Sequence, residues 1–265
     1  MDFRQHVPLG QTGLMVSRLG IAAGYGIPAI SIEKAFHEHN LNYFFLSFPR
    51  RGRMRNALGN LLPGYRDKTI IVTPYFPVDK GLFLHRSIEG WLRRLNLDTI
   101  DIVMLQDVRT PSPQIFERAM KLKEEGKVRF IGMSSHERPL LGRIASGDLD
   151  LPVDLLQVRY NLVHRSAEED IFPHLHQENK PGIVAFTTTC WRKPLKAANM
   201  PPGKTPLTAA DCYRFALSNP NVDFCITGPS SAQQMEENLA ALDGGPMSEE
   251  EIVRCKRIGD HIYRK

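Results

Sequence analysis

Residues 100–133, IDIVMLQDVRTPSPQIFERAMKLKEEGKVRFIGM, read as strand, helix, strand. Ile100–Leu105 and Val128–Met133 are short apolar runs of strand length, rich in β-branched residues. Between them Ser112 and Pro113 offer an N-cap and a first helical residue, and Ile115, Ala119, Met120 and Leu122 recur at helical spacing. Both strand runs are almost continuously apolar instead of alternating, as expected of strands covered on both faces of a parallel sheet. A strand–helix–strand unit of this kind places the chain in the α/β class.

Outward from this unit the alternation recurs until there are eight apolar runs. The other six are Arg18–Ala22, Asn42–Leu46, Thr69–Thr73, Leu155–Tyr160, Ile183–Thr187 and Asp223–Thr227. The stretch Gly81–Leu95 carries Leu82, Leu84, Ile88, Trp91, Leu92 and Leu95 at helical spacing, which makes Trp91 a core residue. Ser166 with Glu169, and Ser248 with Glu251, have capping-box spacing. Thr208 opens a helix through Cys212 and Phe215, and Pro220 lies just past its end. Eight such units predict a (β/α)8 TIM barrel, one domain over residues 1–265 with an extra C-terminal helix. An open doubly wound sheet would need G-x-G-x-x-G after its first strand, and Gly20, Gly24 and Gly26 do not make it. The proline-rich segment Lys193–Pro206 reads as a long loop after the seventh strand, at the mouth where barrel enzymes keep their sites.

Charge and cysteine usage narrow the partners. The formal charge of +5 and pI of about 9.0 favour an anionic ligand. There is no long Lys/Arg run, zinc-finger spacing or aromatic-rich basic strand, so nucleic acid is not expected. Met1–Leu9 has no apolar stretch of the signal-peptide kind, and no window approaches the ~18 apolar residues of a membrane span. Cys190, Cys212, Cys225 and Cys255 are widely spaced without CxxC, the usage of reduced thiols in a cytoplasmic protein with no metal site.

Several segments resemble the aldo-keto reductase superfamily. Leu9–Gly20 is similar to its opening β-hairpin and first strand, and Glu125–Ser135 to its fourth helix end and fifth strand. Gly228–Leu239 is similar to its eighth strand and the helix that follows. Asn42–Phe44 and Leu58-Gly59 flank the second strand in this frame, and Leu95–Asp101 enters the fourth. The likeness runs colinearly through nearly the whole chain. It implies NADPH-dependent carbonyl reduction. In that reaction hydride leaves the nicotinamide and a tyrosine protonates the carbonyl. A lysine–aspartate pair lowers the tyrosine's pKa and a histidine orients the carbonyl.

In the same frame the aspartate, tyrosine, lysine and histidine positions fall on Phe45, Arg50, Pro74 and Gln106. Arginine is no general acid near neutrality, and Phe45 and Pro74 can neither pair nor donate. Gln106 can still orient a carbonyl through its amide. The nicotinamide side is better kept. The resemblance puts Ser134, Ser135 and Gln157 against the carboxamide and the Phe186 ring under the nicotinamide, since stacking needs only a ring face. It puts Glu237 and Asn238 at the adenine end behind the turn at Ser230, and Gln234 where the family has its 2′-phosphate arginine. The implied cofactor is NADP(H), with NAD(H) left open.

The residues themselves offer replacements for the lost set. Tyr75 would be a proton donor if a cation such as Arg51 depressed its pKa, and His136 could serve as acid or base, with Asp107 to orient it. Arg50, Arg51, Arg53 and Arg55 could grip an anionic small-molecule substrate, and Arg192 and Lys193 a pyrophosphate. The expectation is an aldo-keto-reductase-like oxidoreductase with a non-standard active site. The alternatives are a catalytically inactive barrel that binds a nucleotide or a partner, and a different enzyme acting on an anionic substrate.

Overall fold

The computed structural model of this chain describes residues 2–47, 52–77 and 79–264, with the side chain of Gln177 excepted. A short antiparallel hairpin, β1 (Val7–Pro8) and β2 (Met15–Val16), comes first. The barrel strands follow: β3 (Leu19–Ala22), β4 (Tyr43–Phe45), β5 (Ile70–Tyr75), β6 (Ile100–Leu105), β7 (Val128–Ser134), β8 (Leu155–Arg159), β9 (Gly182–Phe186) and β10 (Phe224–Thr227). They close in sequence order, every neighbouring pair is parallel, and β10 returns to β3. This is the (β/α)8 barrel expected from the sequence.

Alternation along each strand makes two cores. Inward residues such as Tyr43, Val72, Ile102, Met104, Leu155, Val184 and Phe224 fill the barrel. Outward residues such as Phe44, Ile71, Val103, Leu156 and Cys225 pack beneath the helices. The hairpin plugs the end where the strands begin, since Leu9 and Val16 belong to the inner core. Gly10 makes this approach possible: its φ is +50°, and a Cβ there would collide with the backbone of Gly182.

At the same end one polar side chain per alternate strand ties the barrel together. Asn42 Oδ1 accepts the Ser17 N–H at 2.9 Å, and Asp101 Oδ2 the Ile71 N–H at 2.8 Å. Asp154 Oδ2 accepts the Ile131 N–H at 2.8 Å, and Asp223 Oδ2 the Ile183 N–H at 2.7 Å. The three carboxylates also pair with cations: Asp101 with Arg66 and Arg129, Asp154 with Lys123, Asp223 with Lys180. These contacts serve stability, at the end of the barrel away from the mouth.

The layer of helices comprises α1 (Ala29–His39), α2 (Gly52–Tyr65), α3 (Leu84–Leu95), α4 (Pro113–Glu124), α5 (Arg138–Ala145), the short α6 (Ala167–Asp170), α7 (Ala209–Leu217), α8 (Ala232–Gly244) and the extra C-terminal α9 (Glu249–Tyr263). Ser248 and Glu251 form the expected capping box, and Thr208 forms another with Asp211. Ser166 does not cap: its own backbone is helical, and Glu169 sits in a single turn. Ser112 starts α4 by its extended backbone while its hydroxyl turns to Gln114. Leu82 precedes α3 and is exposed, while Trp91 is buried as expected. Among the described residues, no helix is long and apolar enough to cross a membrane.

Candidate active site at the barrel mouth

Inward residues form a ring at the open end. Extending the inner-face alternation gives Ala22, Phe45, Pro74, Gln106 just past β6, Ser134, Gln157, Phe186 and Ile226, with Arg159 beyond Gln157 on the same face of β8. Five of the first eight are apolar, and the three polar ones stand side by side at β6, β7 and β8. None of the eight titrates near neutrality. Ala22, Phe45, Gln157, Phe186 and Ile226 line a cavity of about 470 Å³ that opens at this end. Its outer wall includes Tyr25, Trp191 and Arg192, with Ser230 and Gln234 at the start of α8.

The polar arc is incompletely satisfied. Gln157 is buried, and its Oε1 has no hydrogen-bond partner among the described residues. The same holds for Gln106 Nε2. Ser134 lies opposite Gln157 in the β7–β8 register, and its Oγ accepts the Asp107 N–H at 3.1 Å, which leaves its own O–H to donate. Buried polar atoms without partners are costly, so an acceptor of this kind on the cavity wall marks a place for a ligand's N–H. Phe186 lies beside this arc, and its outer side meets the His136 ring at 6.0 Å between centroids.

The remaining candidates scatter. Ser135 faces outward, its Oγ accepting the Glu137 N–H. Tyr75 also points outward, into the helix layer, and its hydroxyl donates to Asp79. Burial and then Asp79 raise its pKa far above the usual phenol range, the reverse of the depression a cation would give. Asp107 pairs with Arg109 at 3.6 Å, which supplies no support for a pairing with His136. Arg50 and Arg51 lie outside the described residues. Arg53 donates to the Gly26 carbonyl, and Arg55 lines a cleft with Thr99 and Arg129 near the strand beginnings. Ser230 donates through its N–H and its hydroxyl to Gln234 Oε1, both at 3.0 Å. Ser231 caps α8, Glu237 is exposed and accepts from Gln233, and Asn238 is buried. No group of three or more His, Cys, Asp or Glu among the described residues could hold a metal.

Two features of the mouth escaped sequence reasoning. Trp191 is 60% exposed and overhangs the cavity, its ring edge-on to His164 at 6.1 Å. Thr187, Cys190, Trp191 and Arg192 all have left-handed backbone, with φ of 56°, 46°, 52° and 64°. For non-glycine residues this conformation costs about 1–2 kcal/mol each, and such strain gathers at functional loops. A tryptophan inside an otherwise polar loop after a strand was the one available signal. Cys190 beneath it is buried, and burial raises its thiol above the usual range, as an inert cysteine requires.

Comparison with known proteins agrees with the barrel. A family model described as the aldo/keto reductase family matches residues 50–189, just over half of the chain. The L-galactose dehydrogenase of Arabidopsis thaliana is 26% identical over an alignment covering 88% of this chain and 86% of the relative. The L-glyceraldehyde 3-phosphate reductase of Escherichia coli K12 is 23% identical, with 96% and 91% covered. Among solved structures, aldo-keto reductase AKR11C1 from Bacillus halodurans in its apo form superposes with a TM-score of 0.77 at 20% identity, covering 96% of this chain and 95% of that one. An aldo/keto reductase from Klebsiella pneumoniae, solved with NADP and acetate, gives 0.75 at 24% identity, covering 97% and 95%. These structural likenesses are likenesses of fold.

Proposed function

The chain belongs to the aldo/keto reductase family, and from that premise we propose that its barrel mouth holds NADP(H) for hydride transfer with a non-standard set of catalytic residues. When bound, the nicotinamide supplies or accepts the hydride. The observation that carries the reading is the buried, unpartnered Gln157 Oε1 beside the Phe186 ring. A carboxamide N–H would satisfy that oxygen, the Ser134 hydroxyl would donate to the carboxamide carbonyl, and Phe186 would offer its face to the ring. An aldo/keto reductase of similar fold was solved with NADP, which supports the choice of cofactor. At the phosphate end, Gln234 is tied to Ser230 and brings no charge, while Arg192 is a cation on the cavity wall. That arrangement binds the pyrophosphate by charge and admits NAD(H) beside NADP(H).

The substrate end follows from the rest of the ring. Gln106 Nε2 is the donor that orients a carbonyl oxygen. Phe45 and Pro74, standing at the family's aspartate and lysine positions, exclude water and move no proton. His136, exposed and with its ring 6.0 Å from that of Phe186, is the side chain assigned to exchange the substrate's proton with solvent. A second reading has its own support: because no residue of the ring titrates near neutrality, the mouth suits a barrel that holds a nucleotide without turning it over.

Trp191 reports on both. The chain has two tryptophans, and Trp91 is buried beneath the helices, so nucleotide entering the mouth quenches Trp191. Titration with NADPH and NADP, repeated on Gln157→Ala, tests the cofactor placement; absence of saturable quenching, or equal affinity in the variant, removes it. Following NADPH absorbance across a panel of aldehydes and ketones then separates turnover from binding alone.

A further inference from the structure

A second, smaller cavity of about 130 Å³ adjoins the mouth where the ends of β7 and β8 meet α5 and α9. Its polar lining is basic and hydroxylic: His136, Arg138, Arg159 and His164, with the hydroxyls of Ser135, Ser166 and Tyr263. No carboxylate lines it. Arg138 is occupied by Asp170 at 2.6 Å. Arg159 is not. It ends β8 on the same face as Gln157, is half-buried, lies opposite Phe186 in the β8–β9 register, and its guanidinium has no ion pair or hydrogen bond among the described residues. A half-buried guanidinium loses hydration, and proteins normally return that loss through a carboxylate or a ligand.

The surroundings confirm the sign of the field. Burial, then Arg159, Lys193 and Arg138, hold the His164 imidazole below its usual pKa, so the ring is a neutral donor or acceptor set among cations. Two ring contacts join the small cavity to the mouth. His136 meets Phe186, and His164 meets Trp191 at 6.1 Å, and both Phe186 and Trp191 also line the larger cavity. The walls of the two cavities therefore meet at Phe186 and Trp191.

We propose that Arg159, with His136 and His164, forms an anion subsite for the second substrate, a small carbonyl compound or its alcohol that carries a carboxylate or phosphate. The guanidinium fork takes two oxygens of that group, and the Ser135 hydroxyl, whose oxygen already accepts from Glu137, donates to a third. This moves the anion grip away from the arginines after β4, of which Arg53 and Arg55 are turned elsewhere. The assignment rests on the reading of the mouth as a hydride-transfer site.

The test uses the full chain and two probes, inorganic phosphate and acetate, at constant ionic strength. The imidazole resonances of His136 and His164 are followed by NMR with and without NADPH. Both resonances shift saturably in the wild type, and Arg159→Gln weakens the response by about tenfold or more. Arg159→Lys, which keeps the charge without the fork, falls between. The stronger of the two probes identifies the anion. No saturable shift, or an unchanged response in Arg159→Gln, overturns the subsite. Mutual exclusion of phosphate and NADPH also overturns it, by giving the cluster to the nucleotide. A protein that responds to phosphate but never binds NADPH keeps the anion site and loses the reading of the mouth.

Discussion

The Tyr75 hydroxyl donates to the Asp79 carboxylate, 2.7 Å from Oδ1 and 2.8 Å from Oδ2. The same carboxylate accepts the N–H groups of Gly81 and Phe83, so it closes the turn from which α3 starts. Tyr75 is thus an anchor for a loop and not an acid over the mouth. Its raised pKa means that its contribution to stability is complete below the ordinary phenol value of ~10 and fades as pH rises above it. For Asp79, burial pushes the carboxyl up, but Tyr75 and the backbone N–H groups outweigh it and hold the pKa low. Its contribution is present above the usual carboxylate range and lost as pH falls through it. Tyr75→Phe is expected to cost about 1 kcal/mol and leave NADPH affinity unchanged. Urea melts and nucleotide titrations measure the two quantities, and a loss of affinity would return Tyr75 to the active site.

Gln157 should behave in the opposite way. Its carbonyl oxygen is buried without a partner, so Gln157→Met exchanges an unsatisfied polar group for an apolar one of similar length. The variant is expected to be as stable as the wild type, or more so by about 1 kcal/mol, while losing NADPH affinity by about tenfold or more. A destabilised variant with normal affinity would make Gln157 a structural residue.

What the chain disclosed before folding, and what it hid, divide along physical lines. Apolar runs such as Val128–Met133 announce strands because both of their faces must be covered, and the eight runs fix the barrel. The inner ring was partly legible for the same reason: Phe45, Gln106 and Phe186 lie beside the ends of their runs, Gln157 lies within its run, and period-two alternation turns them inward. Tyr75 sits one residue out of that phase and faces the helices, so reading it as a site residue ignored the alternation; Ser135, also out of phase, turns away from the inner ring. The carboxylates at Asp101, Asp154 and Asp223 looked like ordinary loop or strand-entry residues, because their partners lie 23 to 40 residues away in sequence. Arg159 was passed over as one charge within an apolar run. Its meaning depends on His136 and His164 arriving from other segments.

The alternate-strand carboxylates carry a stability prediction. Asp101 is fully buried, meets Arg66 and Arg129 at 2.9 Å each, and accepts the Ile71 N–H. Asp101→Ala leaves two facing cations and an orphaned donor, an expected loss of about 3–5 kcal/mol. Asp101→Asn keeps the acceptor for Ile71 and should lose roughly half as much. Chemical denaturation reads both, and NADPH affinity of the folded fraction should not move, since this network lies at the far end of the barrel.

Phe45 tests the proposed loss of the proton-transfer set. It is 7% exposed and packs in the inner core with Ala22, Tyr43 and Val72. Phe45→Asp places a carboxylate there without a cation and should cost about 3–5 kcal/mol, from lost packing and a desolvated charge. Pro74 is two residues beyond Val72, the register partner of Phe45, and shares its face, so Pro74→Lys brings an ammonium within reach. The double variant should recover at least about 1 kcal/mol relative to the sum of the two singles. Adding Arg50→Tyr and Gln106→His restores the residue types that the resemblance assigns to the phenol and imidazole positions. Steady NADPH-dependent aldehyde reduction is expected in this fourfold variant, well above the wild-type rate. If the wild type already matches it, the four positions are not the missing proton-transfer set, and the acid lies elsewhere at the mouth.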